Sequence, residues 1–165
     1  MNKKSNFLIS IKDKTEELHV AKYGSLPNQY NITINNLSIS INYSDNAVFI
    51  KSKDENVIIL IAGNIYHNDL TQYSTVEEYL LDKYLKFKKD FVKYLNGSFC
   101  LFFAQKDTGE VYFGTDRFNT RKIFKFNKEN KLIVGTNIND LPLQECKLSY
   151  AGATSYILNG ACLMI

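Results

Sequence analysis

Tryptophan is absent from the 165 residues, proline occurs twice and glycine eight times. So little proline and glycine leaves no composition for a long flexible linker. No stretch approaches the roughly 20 apolar residues that a membrane-crossing helix needs. The start, Met1 to Ser10, is basic but has no long apolar core, and Lys12, Asp13 and Lys14 follow at once. A signal peptide is therefore not expected, and a cytoplasmic protein is. Cysteine is scarce and odd in number (Cys100, Cys146, Cys162), with no CxxC pair, so reduced thiols are the simplest expectation. The two histidines, His19 and His67, are 48 positions apart, so no metal-ligand cluster is visible and no cofactor is implied. One-signed charge is also lacking: a net +3 on 19.0 kDa is too mild to imply nucleic-acid binding.

What the chain does have is a 45% hydrophobic fraction with 11 Tyr and 11 Phe, which argues against disorder. A domain of this size buries roughly 70% of its unfolded surface and folds without staples. The front half reads as strands. Phe7 to Ile11 is a short apolar run. Tyr30, Ile32 and Ile34 alternate with polar residues, Asn35-Asn36 is turn-like, and Leu37, Ile39, Ile41 and Tyr43 resume the alternation. This predicts a hairpin with one polar face. Val48 to Ile50 and Val57 to Ala62 follow, and Val57 to Ile61 is apolar on both faces, as in a strand covered on both sides.

The period then changes. Ser74-Thr75 ahead of Glu77-Glu78 gives two overlapping capping boxes. Val76, Tyr79, Leu80 and Tyr84 follow helical spacing, which Phe87, Phe91, Tyr94 and Leu95 continue after a break near Lys88 to Asp90. Asn96-Gly97 reads as the helix stop. Ser98 to Ala104 and Glu110 to Gly114 predict a hairpin, and Ile123 to Phe126 with Leu132 to Val134 another. The class is sheet-rich α+β, two sheets face to face with helices outside.

Four stretches in order carry a resemblance. They are Gly63 to Leu70, Asp90 to Phe99, Thr115 to Phe124 and Val134 to Leu141. Together they resemble the N-terminal class II glutamine amidotransferase (glutaminase) domain of asparagine synthetases, over about residues 6–160. The resemblance implies an αββα sandwich of the N-terminal-nucleophile hydrolase type. It implies a cysteine after the initiator Met that attacks the glutamine amide, with its own amino group as base and nearby donors for the oxyanion. By the same resemblance residues 1–145 form the glutaminase-like domain. Residues 146–165 resemble the link to a synthetase domain, which is absent here. That half then lies on another polypeptide, or the domain works alone, or the sequence is a fragment.

This sequence departs from the family where the chemistry sits. Position 2 is Asn2, which is no nucleophile, and the first cysteine, Cys100, falls inside an expected core strand. The family's oxyanion asparagine aligns with Ala62, its glycine with Gly63, its glutamate with Asn64, and its substrate-binding acid with Ser74 or Thr75. No arginine stands between Ala21 and Tyr43 to clamp a carboxylate. These degenerate pocket equivalents, Ala62, Gly63, Asn64 and Thr75, leave no catalytic residue of the family type. Lasso-peptide macrolactam synthetases are similar in having a degenerate front domain. Tyr66, Asn96, Gly97, Asp116 and Arg117 suit turns, strand ends and buried ion pairs, a scaffold rather than a catalytic set.

Blander readings stand beside sharper ones. Ser5 precedes the first strand and would serve as nucleophile only if four residues were removed. Cys100 reads as a small buried hydrophobe, and Cys146 and Cys162 as inert thiols. His67 reads as a hydrogen-bonded loop histidine rather than a general base. The basic run Lys83, Lys86, Lys88, Lys89 and Lys93, interleaved with Asp82 and Asp90, reads as a solvated helix face.

Together these point to a non-catalytic, glutaminase-like domain that docks onto an ATP-dependent, asparagine-synthetase-like amide-forming enzyme, either a peptide-modifying cyclase or an ordinary asparagine synthetase. The implied partner is a separate synthetase-like chain or a second copy of this one, with no nucleic acid, no membrane and no cofactor. The alternatives are a hydrolase or amidotransferase with an unconventional nucleophile, and an amino-acid-binding module.

Overall fold

The computed structural model describes residues 5–13, 26–66, 72–128 and 130–142. His19, His67, Cys146, Cys162 and the 146–165 segment lie outside them. Among the described residues nine strands are formed: β1 (Phe7–Asp13), β2 (Asn28–Ile34), β3 (Leu37–Tyr43), β4 (Val48–Lys51), β5 (Val57–Tyr66), β6 (Asn96–Gln105), β7 (Glu110–Thr115), β8 (Phe124–Lys128) and β9 (Lys131–Gly135). One α-helix, α1 (Val76–Phe87), runs into a 3₁₀ segment, Lys88–Tyr94. The strands make two antiparallel sheets, β2-β3-β1-β9-β8 and β4-β5-β6-β7.

The two sheets face each other across one core. Phe7, Ile9, Ile11, Ile32, Ile34, Ile39 and Ile41 from the first meet Ile58, Leu60, Ala62, Cys100, Phe102 and Ala104 from the second. Because side chains alternate along a strand, β5 and β6 present a second apolar set on their other face. Val57, Ile59, Ile61, Phe99, Leu101 and Phe103 pack there against Tyr79, Leu80 and Tyr84 of α1 and against Phe91 and Leu95. The expectation that Val57 to Ile61 is covered on both sides is met in this way.

The αββα sandwich is not what forms. Among the described residues, helix covers only one of the two outer sheet faces. The reason lies in the first sheet's own alternation. Its outward positions include Ser10, Ser38, Ser40, Gln29, Asn31 and Thr33, so that face is largely polar and does not demand an apolar layer. Its apolar part is local: Leu8 and Ile133 are buried with Leu141, which closes a short 3₁₀ turn after β9.

Of the helix boundaries, only the C-terminal stop differs from expectation. Thr75 caps α1 as the capping-box reading requires: its hydroxyl accepts from the Glu78 N–H at 3.2 Å, while the Glu78 carboxylate accepts from the Ser74 N–H at 2.9 Å. The break near Lys88 is a left-handed residue (φ 51°) that starts the 3₁₀ segment. Asn96-Gly97 is not the helix stop. Both residues belong to β6, where Tyr66 pairs with Asn96 and Ile65 with Gly97.

Candidate functional site

Three of the four pocket equivalents are consecutive on β5 and one is remote from them in sequence. Ala62 is fully buried, with its methyl in the inter-sheet core opposite Cys100. Gly63 stands opposite Phe99 with φ 131°. A Cβ on Gly63 would lie 2.2 Å from the Ser98 carbonyl oxygen, and one on Gly97 would lie 2.2 Å from that of Asn64. The two glycines thus let β5 and β6 meet backbone to backbone at this end of the sheet. Asn64 is exposed, opposite Ser98. Thr75 is the helix cap, its hydroxyl already used.

The Gly63 N–H donates to Ser5 Oγ at 3.2 Å, across 58 residues of sequence. Ser5 is itself buried, and its carbonyl accepts from the Arg121 guanidinium at 2.9 Å. The N–H is bonded to the hydroxyl oxygen itself, so it holds Ser5 in place and is not an oxyanion donor. A nucleophilic serine also requires a base to take the hydroxyl proton. Among the described residues, no ionisable side chain is hydrogen-bonded to Ser5 Oγ.

Next to this contact lies a second buried polar centre, built on the turn after β7. The Asp116 carboxylate accepts from the backbone N–H groups of Phe99, Phe118 and Thr120 at 3.3, 3.0 and 3.3 Å, and from the Thr120 hydroxyl at 2.5 Å. The Thr120 hydroxyl also meets that of Ser98 at 2.7 Å. Burial pushes the Asp116 carboxyl up, but the bonds from Thr120, Phe118 and Phe99 outweigh it and hold it below the ordinary carboxylate range. Asp116 and Arg117 are among the residues expected to suit turns, strand ends and buried ion pairs. The structure separates them: Asp116 is held by amides and a hydroxyl, and Arg117 is exposed. Neighbouring side chains on a turn diverge, and the carboxylate bonds the chain two and four residues ahead.

Cys100 is fully buried on β6, and its thiol meets the Lys122 carbonyl at 3.5 Å. Burial pushes it up to about 11, which Arg121 partly opposes and Asp116 adds to. At neutral pH it is a thiol, not a thiolate, and so is not a nucleophile.

The structure therefore gathers Ser5, Gly63, Ser98, Cys100, Asp116, Thr120 and Arg121 at one end of the sandwich. It leaves Thr75 out of these hydrogen bonds, and Tyr66 exposed at the end of β5. Sequence reading missed Ser98, Thr120 and Arg121. One signal for Thr120 was present, since an Asp followed by polar turn residues is the pattern of a side chain bonding its own backbone ahead. Nothing local marks Ser98 or Arg121.

No protein-family model matches the chain, and no curated protein matches it.

Two further features bound that reading. The basic run on α1 and the 3₁₀ segment is locally neutralised: Lys86 meets Asp82 at 3.0 Å, Lys93 meets Asp90 at 2.7 Å and Lys89 meets Glu110 at 3.7 Å. Lys83 and Lys88 lie over the rings of Tyr79 and Tyr84. Among the described residues, no three His, Cys, Asp or Glu side chains gather to hold a metal ion, and no helix is long and apolar enough to cross a membrane.

Proposed function

We propose that this chain is a non-catalytic, glutaminase-like support domain. It docks onto a separate ATP-dependent enzyme that forms amide bonds, and it works in the cytosol. The observation that carries the reading is the fate of the pocket equivalents. Ala62 fills core, Gly63 gives its N–H to a serine without a base, Asn64 faces solvent and Thr75 caps a helix. The buried polar residues that remain are joined to backbone groups in ways that hold loops and strand ends together. The resemblance to asparagine synthetases supports the kind of partner.

The experiment is a pair of measurements on the purified full chain. Ammonia release from glutamine is expected to be no faster than in buffer, and isolation from native cells is expected to bring down one ATP-using, amide-forming enzyme in stoichiometric amount. Enzyme-like ammonia release overturns the reading, and so does a chain that comes down alone.

The buried hydroxyl of Ser5 keeps a second reading, a hydrolase with an unconventional nucleophile, open to test. Replacing Ser5 by Ala separates the two. Loss of any measured turnover in Ser5→Ala supports the hydrolase; equal behaviour of the two chains removes it.

A further inference from the structure

The turn that follows β7 holds the most exposed large apolar side chain among the described residues. Phe118 is 78% exposed, and Tyr66 and Tyr94 follow at 58% and 50% among residues at this end of the second sheet. The three are tied by topology. Tyr66 pairs with Asn96, Tyr94 lies just before Asn96, and Ser98 is hydrogen-bonded to Thr120 of the turn. An aromatic side chain exposed at a loop tip ordinarily costs order when a partner binds it. Here the backbone share of that cost is already met, because the Asp116 carboxylate fixes the backbone at Phe118 and Thr120, and Asn119 is held left-handed (φ 50°) between them.

Beside the turn is a hollow of about 350 Å³, lined by Val92, Lys93, Leu95, Phe99, Thr115 and Arg117. Its floor is apolar. Of its two rim cations, Lys93 is engaged by Asp90 at 2.7 Å. Arg117 is exposed and has no ion-pair partner among the described residues. Arg121 and Lys122 add positive charge to the turn, and its one carboxylate, Asp116, faces inward.

We propose that the Arg117-Phe118 turn and its hollow form a docking surface for an acidic segment of a partner protein with an apolar side chain. That side chain enters the hollow against Leu95 and Phe99, a neighbouring carboxylate takes the Arg117 guanidinium as a forked pair, and Phe118 packs over the segment as the anchor. The assignment rests on the support-domain reading and adds where the partner sits and what it presents.

The test places a photoreactive benzoylphenylalanine at position 118 of the full chain in native cells, and at position 85 as control. Leu85 is 65% exposed on α1 and lines no part of the hollow. Position 118 is expected to capture a stretch of one partner that contains carboxylates and an apolar residue, and position 85 is not. Arg117→Glu in the same chain is expected to lower that yield about tenfold, and Arg117→Lys much less. If the partner co-purifies but is captured equally at 118 and 85, or Arg117→Glu changes nothing, the surface is wrong and the support-domain reading stands. Capture of a second copy of this chain at 118 also overturns the assignment. If no protein is captured and none co-purifies, both readings fail.

Discussion

Asp116 shows how much one buried side chain can organise. Its carboxylate serves three backbone N–H groups from two segments, so removing it strands several donors at once. Asp116→Ala is expected to cost about 3 kcal/mol, read by urea unfolding. The pH dependence has a definite sign. The folded carboxyl is held below its ordinary range, so the folded state binds fewer protons than the unfolded chain through the acid region. Its contribution is present above the ordinary carboxylate value near ~4 and disappears as pH falls through the lower folded value. Asp116→Asn is expected to flatten that acid slope, visible in melting temperatures taken from about pH 6 to about pH 2. Of this network only Asp116 and the turn pattern that leads to Thr120 were legible, because Phe99 and Ser98 are contributed by another strand.

At the scale of elements, local signals were read well and long-range ones were not. The alternation from Tyr30 to Tyr43 is the β2–β3 hairpin, with Ile34 paired to Leu37 around Asn35-Asn36. Thr75 and Glu78 start α1 where the capping pattern places them. These succeed because each depends on residues within a few positions of one another. Asn96-Gly97 was misread for the complementary reason. Asparagine-glycine also ends helices, and what decides its place in β6 is the backbone of Asn64, about thirty residues away. The two positions predict different penalties. Thr75→Ala is expected to cost about 1 kcal/mol. Gly63→Ala must displace the Ser98 carbonyl and adopt a left-handed φ, so a loss of more than about 2 kcal/mol is expected. Calorimetric melting of the two variants checks the order.

For the molecule as a whole, β5 and β6 are shared by both cores, with successive residues pointing to opposite sides. Phe102 packs between the sheets and Phe103 packs under α1. Phe102→Ala and Phe103→Ala are each expected to cost about 3–5 kcal/mol and to shift one common transition. Far-ultraviolet dichroism and tyrosine fluorescence should then unfold together; separate midpoints would mean that the helical side melts on its own.

The position of β1 has a consequence in time. It lies between β3 and β9, with Leu8 paired to Asn42 on one side and to Gly135 on the other. During synthesis β1, β2 and β3 are made before β9 and can pair at once, but the second edge of β1 has no partner until β9 follows about 120 residues later. The nascent chain therefore carries an open strand edge in that interval, and completion of the sheet waits on β9. A late, non-local closing step is expected from the order in which the strands appear.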